Sequence, residues 1–199
     1  MIPLDSGLIA ILRVKSEGEA RDIATELVKA GVNFIEFTTT NPGAFDLIEE
    51  FAANKSLHVG LGTALTKEHV AAGKKAGAKF IISPHTDEDV IRATKSAGLL
   101  SFPGVASPTD VGNAIKFGAD ALKFFPASSL GFDYLKALRE PFPGRIWMAT
   151  GGITTATAGE WIKAGCAAVG LGGQLTSGGA SEIADRVKAF SDVIKAAKS

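Results

Sequence analysis

Several residue types are scarce in this chain, and each shortage narrows what the chain can be. Its 199 residues include one cysteine, one tyrosine and three histidines. A lone thiol cannot form an intrachain disulfide. Cys166 follows Ala164-Gly165 and precedes an apolar run, so it reads as a buried structural thiol, and a reducing cytoplasm is the expected setting. His58, His69 and His85 lack the short spacing of a metal site, so no metal dependence is expected. His85, after Ser83-Pro84 at the mouth of strand four, is placed to touch substrate, but a solvated histidine or one bonded within its loop is the main expectation. Net charge is missing too: 21 basic residues balance 21 acidic ones, which removes the field that draws a protein to nucleic acid or an anionic membrane. No apolar run reaches the roughly 18 residues of a bilayer span. The opening Met1-Ile-Pro-Leu-Asp-Ser-Gly7 lacks the basic and apolar segments of an export signal. No glycine-rich nucleotide loop of the Rossmann or Walker kind stands in its required context.

What is present fits one globular domain over residues 1–199, with 46% hydrophobic and 21% charged residues. A glycine recurs at the ends of helix-like segments, at Gly31, Gly77, Gly98, Gly118 and Gly165. The intervals of 46, 21, 20 and 47 residues correspond to two, one, one and two units of one strand plus one helix. Apolar strands are then expected near 8–14, 34–40, 58–65, 79–84, 99–105, 121–127, 145–150 and 167–173. Each precedes a segment with helical periodicity, such as Glu19, Ala20, Ile23, Ala24, Leu27 and Val28, or Ile183, Val187, Phe190, Val193 and Ile194. Ser16, Thr66, Thr86, Ser107 and Thr154 read as helix caps. Eight alternating units predict a closed (β/α)8 barrel of parallel strands, with a doubly wound open sheet as the alternative.

Barrel active sites lie at the C-terminal ends of the strands, and this sorts the ionisable residues. Lys79 and Asp120 stand at strand entrances and are expected to be solvated at the opposite rim. Lys123 lies inside Ala121-Leu-Lys-Phe-Phe-Pro-Ala127, and alternation puts Phe125 on its face. Burial lowers the pKa of an amine and leaves it free to attack a carbonyl. Glu36 is the one carboxylate inside an apolar strand, with Phe34, Thr38 and Thr40 as its parity mates. It suits a proton shuttle beside Lys123, or one half of a structural ion pair with it. Arg13 closes the first strand, and its planar fork suits a carboxylate or phosphate; Thr63 closes the third. The clusters Thr150-Gly151-Gly152 and Gly170-Leu-Gly172-Gly173 follow strands seven and eight, where small residues let backbone N–H groups approach phosphate.

The ordered set Ile9-Ala-Ile-Leu-Arg13, Ile35-Glu-Phe-Thr38, Val59-Gly-Leu-Gly-Thr63, Ile82-Ser-Pro84, Phe102-Pro-Gly-Val105, Leu122-Lys-Phe-Phe-Pro126 and Thr150-Gly-Gly-Ile153 resembles the KHG/KDPG aldolase family almost end to end. These are lysine-dependent class I aldolases on a (β/α)8 barrel. The resemblance implies that Lys123 forms a Schiff base with a 2-keto carbon and that Glu36 is its acid/base. Arg13 and Thr63 would hold the pyruvate-derived carboxylate, Phe125 and Pro103 would shape the pocket, and the glycine clusters would take phosphate. It implies reversible cleavage of 2-keto-3-deoxy-6-phosphogluconate, or its galactonate epimer, to pyruvate and glyceraldehyde 3-phosphate. It further implies no cofactor, a cytoplasmic homotrimer, and small molecules as the only partners.

Three departures qualify the resemblance. Thr40 stands where many members carry an arginine, so Arg13 takes more of the anion binding. Gly173 replaces the family's usual phosphate-binding serine, which keeps unphosphorylated 4-hydroxy-2-oxoglutarate as an alternative substrate. The segment ahead of the first strand is only about seven residues. Pro126–Lys136 and Trp161–Cys166 also resemble the galactonate branch. A non-catalytic phosphosugar-binding barrel, with Lys123 and Glu36 merely paired, is the alternative from another functional class. A phosphosugar isomerase or decarboxylase would need a second strand-end carboxylate, which the sequence does not offer.

Overall fold

The structure, a computed structural model, describes Leu4 and residues 6–199. The opening Met1–Gly7 segment therefore falls mostly outside the described residues. Nine parallel strands make one sheet: β1 (Leu8–Leu12), β2 (Phe34–Thr38), β3 (His58–Gly62), β4 (Phe80–Ile82), β5 (Leu100–Phe102), β6 (Gly104–Val105), β7 (Leu122–Phe124), β8 (Trp147–Thr150) and β9 (Ala168–Leu171). Their order around the sheet is β5-β4-β3-β2-β1-β9-β8-β7-β6. The two edges are consecutive in the chain, so the sheet is a nearly closed barrel with its seam at Pro103. Eight strands were expected and nine are found, because proline has no N–H to give and interrupts the fifth strand. The seam is still bridged by hydrogen bonds, from Ala121 N–H to Ser101 O at 3.3 Å and from Lys123 N–H to Pro103 O at 2.9 Å.

Helices return the chain between strands: α1 (Glu17–Lys29), α2 (Ala44–Ala52), α3 (Lys67–Lys75), α4 (Glu88–Ser96), α5 (Pro108–Phe117), α6 (Ala127–Leu130), α7 (Phe132–Arg139), α8 (Thr155–Lys163), α9 (Gly173–Thr176) and α10 (Ile183–Lys198). The five periodic glycines all carry φ between 71° and 101°, the left-handed region that ends a helix without steric cost. Ser16, Thr66 and Ser107 accept bonds from the first turns of α1, α3 and α5, and Thr154 begins α8. The cap of α4 is Asp87 rather than Thr86. Thr86 instead donates to Gly104 O at 2.9 Å, tying β6 to the preceding loop.

Alternation divides each strand between two cores. Outward residues such as Leu12, Phe37, Leu61 and Phe124 pack under the helices. Inward residues of the N-terminal layer, including Ile9, Phe34, Phe80, Phe102 and Met148, form a second cluster that fills the barrel floor. Phe34, Phe80 and Phe102 stack in sequence with centroids 4.9 and 5.6 Å apart. The next inward layer contains Ile11, Glu36, Lys123, Thr150 and Gly170, and it is this layer that faces the cavity.

Candidate active site

A cavity of about 300 Å³ opens at the C-terminal end of the barrel. Lys123 and Glu36 both line it, and among the described residues they are the only buried charged side chains, 6% and 1% exposed. They stand on β7 and β2, four steps apart along the sheet through β1, β9 and β8. No nitrogen–oxygen contact within 4.0 Å joins them, and Glu36 Oε2 is buried with no hydrogen-bond partner. The closed ion pair considered from sequence is therefore not formed. Two costly groups face a shared space across which a ligand fits.

Their electrostatics follow from that burial. Desolvation raises the Glu36 pKa, against the opposing pull of Lys123 and Arg13. Desolvation likewise lowers the Lys123 pKa; Glu36 opposes that shift and Arg13 adds to it. Both shifts run toward the uncharged forms, an amine suited to attack and a carboxyl suited to give a proton. The ring of Phe125, next inward residue after Lys123, has its centroid 4.7 Å from Nζ.

Arg13 lies one residue past β1, exposed at the rim, and Nη2 donates to Thr63 Oγ1 at 3.0 Å. Thr63 is the only non-glycine described residue with positive φ, 55°, an unfavourable conformation for a β-branched side chain. The turn is fastened on both sides. Thr39 Oγ1 donates to Thr63 O at 2.8 Å, and Ala64 N–H bonds Ile82 O at 3.1 Å. Strain held this way fixes a hydroxyl and a guanidinium together at the mouth. Across the cavity, Thr150 Oγ1 is buried without a partner. Gly151, Gly152, Gly172 and Gly173 complete that wall. A Cβ at Gly173 would meet nothing within 4 Å, so the position has room for the hydroxyl this chain lacks.

Ten of the twelve residues expected at the site thus line one cavity. Thr40 and Pro103 are not among its lining residues. Thr40 is exposed and bonds Thr38 at 3.0 Å, while Pro103 is buried in the seam. His85 is exposed, as expected. Lys79 and Asp120 are at the opposite end, as expected, yet both are engaged. Lys79 Nζ donates to Leu57 O at 2.5 Å, and Asp120 pairs with Lys95 at 2.6 Å while accepting from Ser101 N–H at 2.8 Å. Cys166 is buried away from the cavity, its thiol pushed up to about 12 by desolvation, which keeps it inert. Gly170, the first residue of the second glycine cluster, also lines the cavity; Ile11, Pro84, Ile153 and Gln174 do so too but were not singled out from sequence. Strand parity could have found Ile11; a neutral amide in the first turn of α9 gives no comparable signal for Gln174.

The likeness to known proteins runs through this same barrel and rim. The family model for KDPG and KHG aldolase matches residues 4–190. A 2-dehydro-3-deoxy-6-phosphogalactonate aldolase of Escherichia coli (strain K12) is 35% identical, over 94% of this chain and 96% of its own. A solved native KDPGal structure superposes with TM-score 0.90 at 32% identity, covering 96% of this chain and 95% of the other. The KDPG aldolase from Legionella pneumophila, solved with pyruvate captured as a covalent carbinolamine intermediate, is 26% identical. It gives TM-score 0.83 over 98% of this chain and 95% of its own. With the fold and nearly the whole length shared, the chain belongs to the KDPG and KHG aldolase family and is a lyase.

Proposed function

We propose that this aldolase works through a Schiff base on Lys123 and cleaves 2-keto-3-deoxy-6-phosphogluconate, or its galactonate epimer, to pyruvate and glyceraldehyde 3-phosphate. The observation that carries the reading is the pair of buried, unjoined groups, Lys123 and Glu36, facing one another across the cavity. Covalent capture of pyruvate in the Legionella relative supports it.

In this reading the neutral Lys123 amine adds to the C2 carbonyl. Glu36, whose carboxyl burial shifts toward the protonated form, gives its proton as water leaves, and an iminium results. The Glu36 carboxylate then takes the proton of the C4 hydroxyl while the C3–C4 bond breaks. The electron pair passes to the iminium nitrogen, the aldehyde departs, and Glu36 returns the proton to C3. Water adds to the new iminium and gives a proton back to Glu36, and collapse of the carbinolamine releases pyruvate and the neutral Lys123 amine. The iminium is the electron sink, so the scheme calls for no bound metal. Arg13 and Thr63 suit the substrate carboxylate at one side of the mouth. The backbone of the two glycine clusters, with Gln174 beside them, suits the distal end. The same reading takes the enzyme to be a cytoplasmic homotrimer.

Incubation with pyruvate and borohydride is expected to inactivate the enzyme and leave a reduced pyruvyl adduct on Lys123, read by peptide mass. An adduct on another residue, or none, overturns the mechanism. A second substrate, unphosphorylated 4-hydroxy-2-oxoglutarate, is favoured by one feature: among the described residues the only cations lining the cavity are Arg13 and Lys123, and none stands among the glycines. Turnover of phosphorylated and unphosphorylated substrates side by side decides between them, and product analysis with the two epimeric sugar acids settles stereochemistry.

A further inference from the structure

We infer that Gly62 is a positioning residue for Glu36: the bare backbone at this point is the seat of the carboxyl group. Gly62 ends β3 and pairs with Thr38, while Glu36 on the same neighbouring strand pairs with Gly60. A Cβ built on Gly62 would lie 1.7 Å from Glu36 Oε1, 2.3 Å from Cδ and 2.5 Å from Cγ. All three nearest atoms belong to one side chain. The volume that any other residue would fill is therefore occupied by the Glu36 carboxyl group.

Backbone geometry does not call for glycine here, since Gly62 is not among the positive-φ residues. Space accounts for it. Two positions earlier on the same inward face, Gly60 gives up its volume to the ring of Phe80, whose Cε2 would be 2.3 Å from an added Cβ. So β3 presents two bare inward positions in succession, the lower one filled by the floor and the upper by the acid. With one oxygen lying over Gly62, the other, Oε2, is held without a protein partner. A methyl group at position 62 would collide with the free end of a flexible side chain rather than with backbone. The strand keeps its place and Glu36 turns. A group that must approach its proton to within about 3 Å, directly or through one water, then loses its aim.

This inference rests on the reading of Glu36 as the acid/base, and its test keeps the two apart. Three variants, Gly62→Ala, Glu36→Gln and Glu36→Asp/Gly62→Ala, are compared with the parent enzyme. The readouts are exchange of the pyruvate methyl protons with D2O, borohydride trapping of pyruvate at Lys123, and melting temperature. Gly62→Ala is expected to fold and to be trapped, but to exchange protons about 100-fold more slowly, the order of loss from a misplacement of about 1 Å. Its exchange-rate pH profile is expected to shift, since the carboxyl group leaves its seat. In the double variant the shorter acid vacates that volume, so it is expected to be no slower than Gly62→Ala alone. If Glu36→Gln exchanges normally, the role of Glu36 is wrong. If Glu36→Gln is inactive and Gly62→Ala exchanges at the parent rate, the role of Gly62 is wrong. If neither Gly62→Ala nor the roomier double variant folds, Gly62 serves the fold and the inference is overturned.

Discussion

A lysine and a glutamate kept in a barrel interior are expensive, and the expense has a sign that pH can read. The Glu36 carboxyl is held above the usual carboxylate range by burial. A raised pKa favours folding only while the group stays protonated, so this contribution is complete below the unfolded value near 4.5 and is lost as pH rises through the folded one. Glu36→Gln does not titrate. It is therefore expected to gain stability over the parent progressively above about pH 4.5, by roughly 1 kcal/mol or about 2–4 °C in melting temperature at pH 8, while losing activity. Thermal melts of both proteins from pH 4 to 8 check it; a difference that stays flat across that range contradicts the assignment. Legibility at this scale followed charge. Lys123 and Glu36 stood out because a formal charge inside an apolar strand has few structural uses. Gln174 and Pro84 did not, because an amide or a proline in a loop looks the same at a cavity as anywhere else. Pro103 came from resemblance alone, and Thr40 from resemblance and strand parity, which no longer holds past Thr38, where β2 ends.

Among the elements, strand starts were easier to read than strand ends. Apolar runs marked where each strand enters the barrel, but the expected ends overshot: β1 stops at Leu12, β2 at Thr38, β7 at Phe124 and β9 at Leu171. The overshoot has a physical cause. Beyond these points the chain is still apolar or small, yet it leaves the ladder to build the rim, and α6 and α9 begin almost at once. Pro103 is the other case, a single imino acid that turns one expected strand into β5 and β6. The seam it makes has its own fastening at the far end, where Asp120 pairs with Lys95 on α4 and accepts Ser101 N–H. Ser101 is buried, so removal of the carboxylate leaves its N–H without that partner. Asp120→Ala is expected to destabilise by about 1–3 kcal/mol, with kcat and KM nearly unchanged because the residue is remote from the cavity. Urea unfolding alongside steady-state kinetics tests both halves; a large kinetic effect would mean that the seam transmits strain to Lys123.

Across the whole molecule, the alternation of strand and helix was enough to name a barrel, because eight parallel units have few ways to bury both faces of a sheet. Assembly is not written in that pattern. The proposed homotrimer predicts a particle of about three times the 20.6 kDa chain mass, and sedimentation equilibrium at micromolar concentration measures it; a species at the mass of one chain contradicts it. The stacked rings of Phe34, Phe80 and Phe102, with Ile9 and Met148, have one further consequence. They stopper the barrel from below, so among the described residues the site is a well closed at its floor and open at the C-terminal end. In the proposed reaction the fragment bonded to Lys123 lies at the bottom and the aldehyde lies toward the exit. Traffic is then last in, first out: the aldehyde departs before pyruvate on cleavage, and pyruvate enters before the aldehyde on synthesis.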